Sequence, residues 1–285
     1  MKIGKYDVHL LTLGHFRMDG GALFGIVPKK LWQRVYPHVD EENRVLMAAK
    51  CLLITGEGAV VVADAGVGEK LEPKARAIFC VEQPLNALET ALHAHGVDPA
   101  DVTHFIYTHL HFDHAGGATK LDDTGNAVCV FPNATHFVQR EQLAWARSPS
   151  DKDRASFDAR NWECVAQKGL LQELDGAAEI LPHISVNTVH GHTPAMQMVL
   201  VEDSTISLIY TIDLFPSAAH LPVHYIAAFD NKPLTVIDEK RECLESAAER
   251  NSIILFGHDP ELSGVQVKRA PKGCEIVRRF SNGEL

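Results

Sequence analysis

Twice along the chain the same order of apolar segments occurs: two strand-like runs joined by a tight turn, a helical stretch, then a third strand-like run with acids or histidines behind it. In the first half "AKCLLITGEGAVVVADAG" places β-branched residues on both sides of a glycine-bearing turn, the pattern of a hairpin. "PLNALETALHAHG" follows, with Leu85, Leu88, Ala91 and Leu92 at helical spacing and Gly96 as a stop. "VTHFIYT" is the third strand. In the second half these places fall to "MQMVLVEDSTISLIYTID", "VIDEKRECLESAAER" and "SIILFGHD". The likeness is one of pattern, not of residue identity. A chain so arranged buries its apolar runs by packing two sheets together with helices outside, which gathers the polar strand ends along one edge.

Between the halves, "VFPNATHFVQREQLAWAR" reads as a strand entering a helix and "FDARNWECVAQKGLLQEL" as a further helical stretch. No linker or low-complexity tract divides the chain, so residues 1–285 are expected to form a single domain. Residues 14–50 are less regular and rich in glycine, aromatic and apolar residues. They fit either an arm or loop over the active site or a packed N-terminal segment, since both uses share that composition.

Charge and cysteine usage exclude some classes of partner. The formal net charge of −10 repels a polyanion, so nucleic acid is not an expected partner. Six cysteines are dispersed without a Cys-x-x-Cys pair, which argues against a zinc ribbon or a dithiol redox motif and suits a reducing, cytoplasmic setting. The opening "MKIGKYDVHLLTLGHF" is broken by His9, Gly14 and His15 and lacks a small-residue cleavage site, so it reads as a strand and not as a signal peptide. No apolar run approaches the ~20 residues that span a bilayer, so no membrane partner is expected.

The chemistry concentrates in "THLHFDHAGG", where His109, His111, Asp113 and His114 crowd the end of the "HFIY" run. His109 and His111 can face one side, while Asp113 and His114 fall one turn later, and Gly116 and Gly117 permit the chain to turn. Two adjacent metal positions fit that spacing better than one. His190 and His192 follow "ISVNTV", Asp213 follows "ISLIYTI" and His258 follows "SIILFG", so four strand ends deliver candidate ligands toward one edge. Imidazole and carboxylate without thiolate suit zinc first, with iron, manganese or cobalt as alternatives. His190 reads as a bystander beside His192, and His15, His38, His93, His95, His104, His136 and His183 as structural or solvated residues.

"HLHFDH" resembles the His-x-His-x-Asp-His signature of the metallo-β-lactamase-fold hydrolases, and "VHGHTP", the strand end at Asp213 and "FGHD" match that family's remaining ligand motifs in order. The resemblance covers residues 45 to 265. It implies an α/β fold, a four-layer αββα sandwich. It also implies two divalent metal ions per chain, with His109, His111 and His192 on the first, Asp113, His114 and His258 on the second, and Asp213 as a bridge. The implied chemistry is hydrolysis by a metal-bridging hydroxide that Asp113 would orient, with Asp64, at the end of "VVVAD", as an outer partner to a histidine ligand.

A bridged site without cysteine looks like the lactonase and glyoxalase II branches of that family, and a small lactone or ester is the expected substrate. A phosphotriester or phosphodiester hydrolase and a non-catalytic metal-binding protein are the alternatives, and a homodimer is an open option. Homoserine lactonases of that branch often carry a tyrosine three residues after the bridging aspartate, where this chain has Pro216; "GHTPA" places Ala195 where the family has glycine. His220, His224 and Tyr225 follow closely enough to line the same cleft, with His220 and Tyr225 as candidate catalytic groups. Leu23, Phe24, Ile26 and Trp32 would suit an apolar substituent.

Overall fold

The computed structural model describes residues 1–271 and 273–284; Lys272 and Leu285 lie outside the described residues. Two seven-stranded sheets carry the fold. In the first, the long antiparallel strands Tyr6–Asp19 and Arg44–Gly56 lead through Ala59–Ala63 to the parallel strands His104–Ile106, Thr135–Gln139 and Leu171–Leu174, with Lys2–Ile3 at the far edge. In the second, Ala178–Leu181, Ile184–Val189, Met196–Glu202 and Ser207–Tyr210 run antiparallel. Ile253–Leu255 then pairs in parallel, and Leu262–Ala270 and Gly273–Ser281 close the sheet. A small ribbon, Thr119–Leu121 with Ala127–Cys129, stands apart.

The repeated sequence order becomes a repeated topology. In each sheet a hairpin is followed by a helix and a parallel return strand, Ala87–His93 before His104–Ile106 and Pro233–Arg250 before Ile253–Leu255. The first hairpin turns at Glu57 and Gly58, whose φ values of 49° and 77° give the doubly left-handed turn that matches strand twist. Strand Arg44–Gly56 is buried on both faces because each is covered, which is why its sequence reads as one apolar run. One face packs Leu52 and Ile54 against Val186, Val199, Leu208 and Ile254 of the second sheet. On the other, Cys51 and Leu53 belong with Leu88, Leu92, Leu143 and Trp162 to a cluster that the outer helices cover. Helix Pro233–Arg250 covers the second sheet through Val236, Cys243, Leu244 and Ala247. The layers are those of an αββα sandwich.

Residues 14–50, open in the sequence between an arm or loop and a packed segment, bury Phe16, Leu23, Phe24, Trp32 and Val45 in one cluster. Their ends are strand, and residues 20–43 between them form an excursion containing the short helices Gly20–Phe24 and Lys29–Trp32. The opening segment is a strand, as its sequence reads, and Gly14 lies at a register shift within it, where a bulge absorbs it. Its missing Cβ leaves room for the backbone of Glu82 and Gln83. The stretch 157–174 is helical only over short turns and Glu163–Gln167, and its end, Leu171–Leu174, is the sheet's edge strand. Edge position explains the misreading: a half-exposed strand needs no run of β-branched residues to pair.

All six cysteines are free, and among the described residues no helix is long and apolar enough to cross a membrane.

Candidate metal centre

The carboxyl ends of Ala59–Ala63, His104–Ile106, Ser207–Tyr210 and Ile253–Leu255 open onto one edge, and the loops that follow them carry Asp64, His109 to His114, Asp213 and His258. His192 arrives from the loop after Ile184–Val189. All seven residues expected as ligands converge there in two groups: His109, His111, His192 and Asp213 in one, Asp113, His114 and His258 in the other. Each is at most 9% exposed.

In the first group His109 Nε2 lies 3.0 Å and His192 Nε2 3.2 Å from His111 Nδ1, and Asp213 Oδ2 stands 3.1 Å from His192 Nε2. In the second, His258 Nε2 and His114 Nε2 are 3.0 Å apart, each 3.7 Å from Asp113 Oδ2. Asp213 reaches both groups, its Oδ2 3.5 Å from His114 Nε2 and its Oδ1 2.9 Å from His258 Nε2. That last contact lacks hydrogen-bond alignment, and Asp213 Oδ1 is a buried acceptor without a hydrogen-bond partner.

Outward hydrogen bonds fix which nitrogen faces inward. His114 Nδ1 donates to Asp64 Oδ2 at 2.9 Å, His192 Nδ1 to Asp230 Oδ1 at 2.9 Å and His258 Nδ1 to the Ala48 carbonyl at 2.8 Å. With Nδ1 protonated, each Nε2 turns a lone pair inward. The Thr108 hydroxyl donates to Asp64 and stands 3.1 Å from His109 Nδ1, so the same logic extends to His109. The inward nitrogens of His114 and His258 stand 3.0 Å apart, and lone pairs facing at that distance repel unless positive charge lies between them. A tetrahedral cation with bonds of about 2.0–2.1 Å holds its donors about 3.3 Å apart, close to the spacing found.

Electrostatics points the same way. Burial, then the neighbouring imidazoles, pushes His109 and His111 well below the usual histidine range. Burial also opposes charge on His192 and His114, but the carboxylates overcome it: Asp213 and Asp230 lift His192 to about 9, and Asp213, Asp113 and Asp64 hold His114 well above its ordinary value. Burial would raise Asp213, yet His114, His258 and His192 hold it well below the carboxylate range. Without a cation His114 and His192 therefore hold protons that metal would displace, and a centre that favours positive charge between its donors fits a pair of divalent cations.

Asp64 does stand behind a ligand, as the sequence suggested. It is fully buried, accepts from Thr108 N, Thr108 Oγ1 and His114 Nδ1, and adopts a φ of 61° that non-glycine residues rarely take. Gly116 and Gly117 serve differently from expectation. Gly116 has ordinary helical φ, and what requires glycine is close approach, since a Cβ at either position would meet the carbonyls of Val67 or Ala65. His190 stays outside both groups, half-exposed, with Nδ1 accepting the Ala195 amide at 3.2 Å.

Beside the centre lies a cleft of about 120 Å³. Met18, Leu23, Met47, Phe79, Phe112, Ala155, Pro216 and Phe229 form its apolar walls, and His111, Asp113, Lys152, Asp153, Ser156, His192, Asp213 and His258 its polar lining. His220 and Tyr225 are not among its lining residues, which corrects their expected place. His220 is buried with Nδ1 2.8 Å from Ser217 Oγ and Nε2 3.2 Å from the Leu23 carbonyl, and its ring stacks on Phe24. Tyr225, with His224, lines a separate groove of about 820 Å³ against helix Pro233–Arg250 and the last two strands. Of the excursion residues expected to hold an apolar substituent, Leu23 reaches the cleft; Phe24 and Trp32 pack on each other and Ile26 faces solvent.

Several supporting residues gave no local signal. Asp230 lies in a turn 38 residues beyond His192. Gln142 accepts from Leu110 N and donates to Thr193 Oγ1 and the Pro194 carbonyl, tying the two histidine loops together. Glu239 accepts from the backbone amides of His190 and Gly191. Each acts across the fold, and no motif or spacing near the histidines marks it.

The metallo-beta-lactamase superfamily model matches residues 45–258. The N-acyl homoserine lactonase AttM of Agrobacterium fabrum is 27% identical over 200 residues, covering 68% of this chain and 68% of its own. A crystal structure of a probable metal-dependent hydrolase from Staphylococcus aureus superposes with a TM-score of 0.90 at 28% identity, covering 100% of both chains. AidC, a dizinc quorum-quenching lactonase solved with a product, superposes with a TM-score of 0.80 at 19% identity over 97% of this chain and 95% of its own, a likeness of fold.

Proposed function

The chain belongs to the metallo-beta-lactamase superfamily, and on that premise we propose that it is a hydrolase that opens a small lactone or ester at a pair of divalent cations, zinc first among them. The observation that carries this reading is the convergence of five imidazoles and two carboxylates into two adjoining groups with Asp213 reaching both. The names of the lactonase relatives point to the same class of bond.

A pair of divalent cations held there would supply the acidification of a water molecule and the polarisation of the substrate carbonyl. The chain supplies the rest. His109, His111 and His192 would hold one cation and Asp113, His114 and His258 the other, with Asp213 between them. Asp113 lines the cleft and in this reading would take a proton from the attacking water and return it to the leaving oxygen. Phe79, Phe112 and Phe229 keep bulk water from the reacting bond. Among the described residues the one cationic side chain lining the cleft, Lys152, is spent on the Phe229 and Asp230 carbonyls and Asn231 Oδ1. A neutral ester suits such a cleft better than a phosphodiester. The whole chain acts as one catalytic unit in this reading.

The test joins metal analysis to turnover. Protein resupplied with zinc, manganese or cobalt should hold two ions per chain and hydrolyse lactones or esters. Chelation should abolish that activity and lower the melting temperature, since a ligand bound to the folded state alone stabilises it. His111→Ala should fall to background. Full occupancy without turnover of lactones, esters, thioesters or phosphotriesters would leave a metal-binding protein that is not a hydrolase.

A further inference from the structure

One wall of the cleft is residues 148–158, and it is tied down at several points. Asp153 Oδ2 accepts from Trp145 Nε1 and Asn231 Nδ2, both at 2.7 Å, and its Oδ1 from Ser150 Oγ at 2.8 Å. Lys152 Nζ donates to the Phe229 carbonyl at 2.7 Å and the Asp230 carbonyl at 2.6 Å, with Asn231 Oδ1 at 3.4 Å. Phe157 forms a backbone bridge with His111 and packs its ring 4.9 Å from the imidazole. The wall is therefore set before any substrate arrives, and its register against the first ligand group is fixed at the residue after Ser156.

Besides the residues assigned as ligands, the polar side chains lining this cleft are Lys152, Asp153 and Ser156. The first two are held by the hydrogen bonds given above. Ser156 donates its backbone amide to the Asp153 carbonyl at 2.9 Å, but its hydroxyl meets no protein partner among the described residues. It is half-buried, whereas the ligand groups beneath are buried, so it stands toward the rim. The cleft, of about 120 Å³, has the ligand groups at its floor, so a ring seated on them carries its substituents toward the rim.

We propose that Ser156 is a specificity-determining residue whose hydroxyl donates a hydrogen bond to an acceptor oxygen on a substituent beside the reacting carbonyl. The inference rests on the hydrolase reading above and narrows its substrate class to small lactones or esters bearing such an acceptor. The direction of the bond follows from the partners. The three side-chain hydrogen bonds that Asp153 accepts come from Trp145, Asn231 and Ser150 and none from Ser156, and an ester or amide carbonyl can only accept.

The experiment compares α-acetamido-γ-butyrolactone with its apolar isostere α-isobutyl-γ-butyrolactone on metal-loaded wild type, Ser156→Ala and Ser156→Thr. The ratio of kcat/KM for the acetamido over the isobutyl substrate should fall about 3- to 10-fold in Ser156→Ala, the effect of one neutral hydrogen bond, and be carried by KM. Ser156→Thr should restore it, with metal content equal in all three. An unchanged ratio overturns the assignment, because a merely structural role would slow both substrates alike. Calorimetric binding of the two ring-opened hydroxy acids separates the layers of the argument. Selective weakening in Ser156→Ala without turnover by wild type leaves the contact standing and the hydrolase reading fallen; binding without selectivity overturns the contact whatever the turnover.

Discussion

Asp230 Oδ1 accepts the Nδ1 proton of His192 at 2.9 Å while its Oδ2 accepts the Ala227 amide at 2.9 Å, so one buried carboxylate orients a ligand and closes the turn that carries it. Lys152 grips the Asp230 carbonyl from the cleft wall, which links the wall to the same histidine. The position of His192 thus depends on a turn that approaches from the far side of the cleft.

Asp230→Ala should weaken metal binding about 10- to 100-fold, the usual effect of losing an outer partner to a histidine ligand. It should also cost about 1–3 kcal/mol of stability by leaving buried donors unpaired. Asp230→Asn, which keeps an acceptor, should recover much of both. Competitive chelator titration and urea unfolding read the two quantities. Unaltered affinity in the alanine variant would show that His192 is held by other means.

Ala195 follows the "GHTP" segment with φ of 53°, a left-handed conformation that costs an L-residue roughly 1–2 kcal/mol and glycine almost nothing. Ala195→Gly should therefore stabilise the chain by about 0.5–1 kcal/mol, the strain relieved less the entropy glycine adds to the unfolded state. The measurement is the denaturation midpoint at constant slope. A destabilised glycine variant would mean that packing of the buried methyl outweighs backbone strain.

Lys240 is fully buried, donating to the Tyr225 carbonyl at 2.7 Å and the Pro222 carbonyl at 3.3 Å, with its ammonium 5.0 Å from the centre of the Phe215 ring. Burial pushes its pKa down to about 7. From there to its ordinary value of 10.5 the unfolded chain holds a proton that the folded chain has lost, so this residue makes stability rise with pH across that window. Below about 7 both states are protonated and the contribution is flat. Relative to Lys240→Met, wild type should gain up to about 1.4 kcal/mol per pH unit between pH 7 and 10. Urea midpoints for the pair, taken at several pH values, should diverge accordingly, and parallel profiles would count against a displaced titration.

The local parts of this design are legible in the sequence. "HLHFDH" concentrates four donors within a few residues, and the apolar runs before it and before Asp213 and His258 announce the strands that deliver them. The Glu57–Gly58 turn is readable because its conformation demands specific residues. What could not be read is what acts at a distance. Asp230, Gln142 and Glu239 look like ordinary surface acids and amides until the fold brings them to the histidine loops. The Ala48 carbonyl that holds His258 carries no side-chain signature at all. His220 and Tyr225 misled for the converse reason: nearness in sequence to Asp213 placed them in the cleft, but the loop after Pro216 buries His220 behind Leu23 and turns Tyr225 into the separate groove.

The donors are shared between the two sheets. His109 to His114 follow a strand of the first sheet, and His192, Asp213 and His258 follow strands of the second. An ion seated there is a rivet through both leaves of the sandwich. Cutting the chain between the leaves would strand the donors on either side, so neither half could be inherited, swapped or truncated as a working piece. The two leaves share one fate.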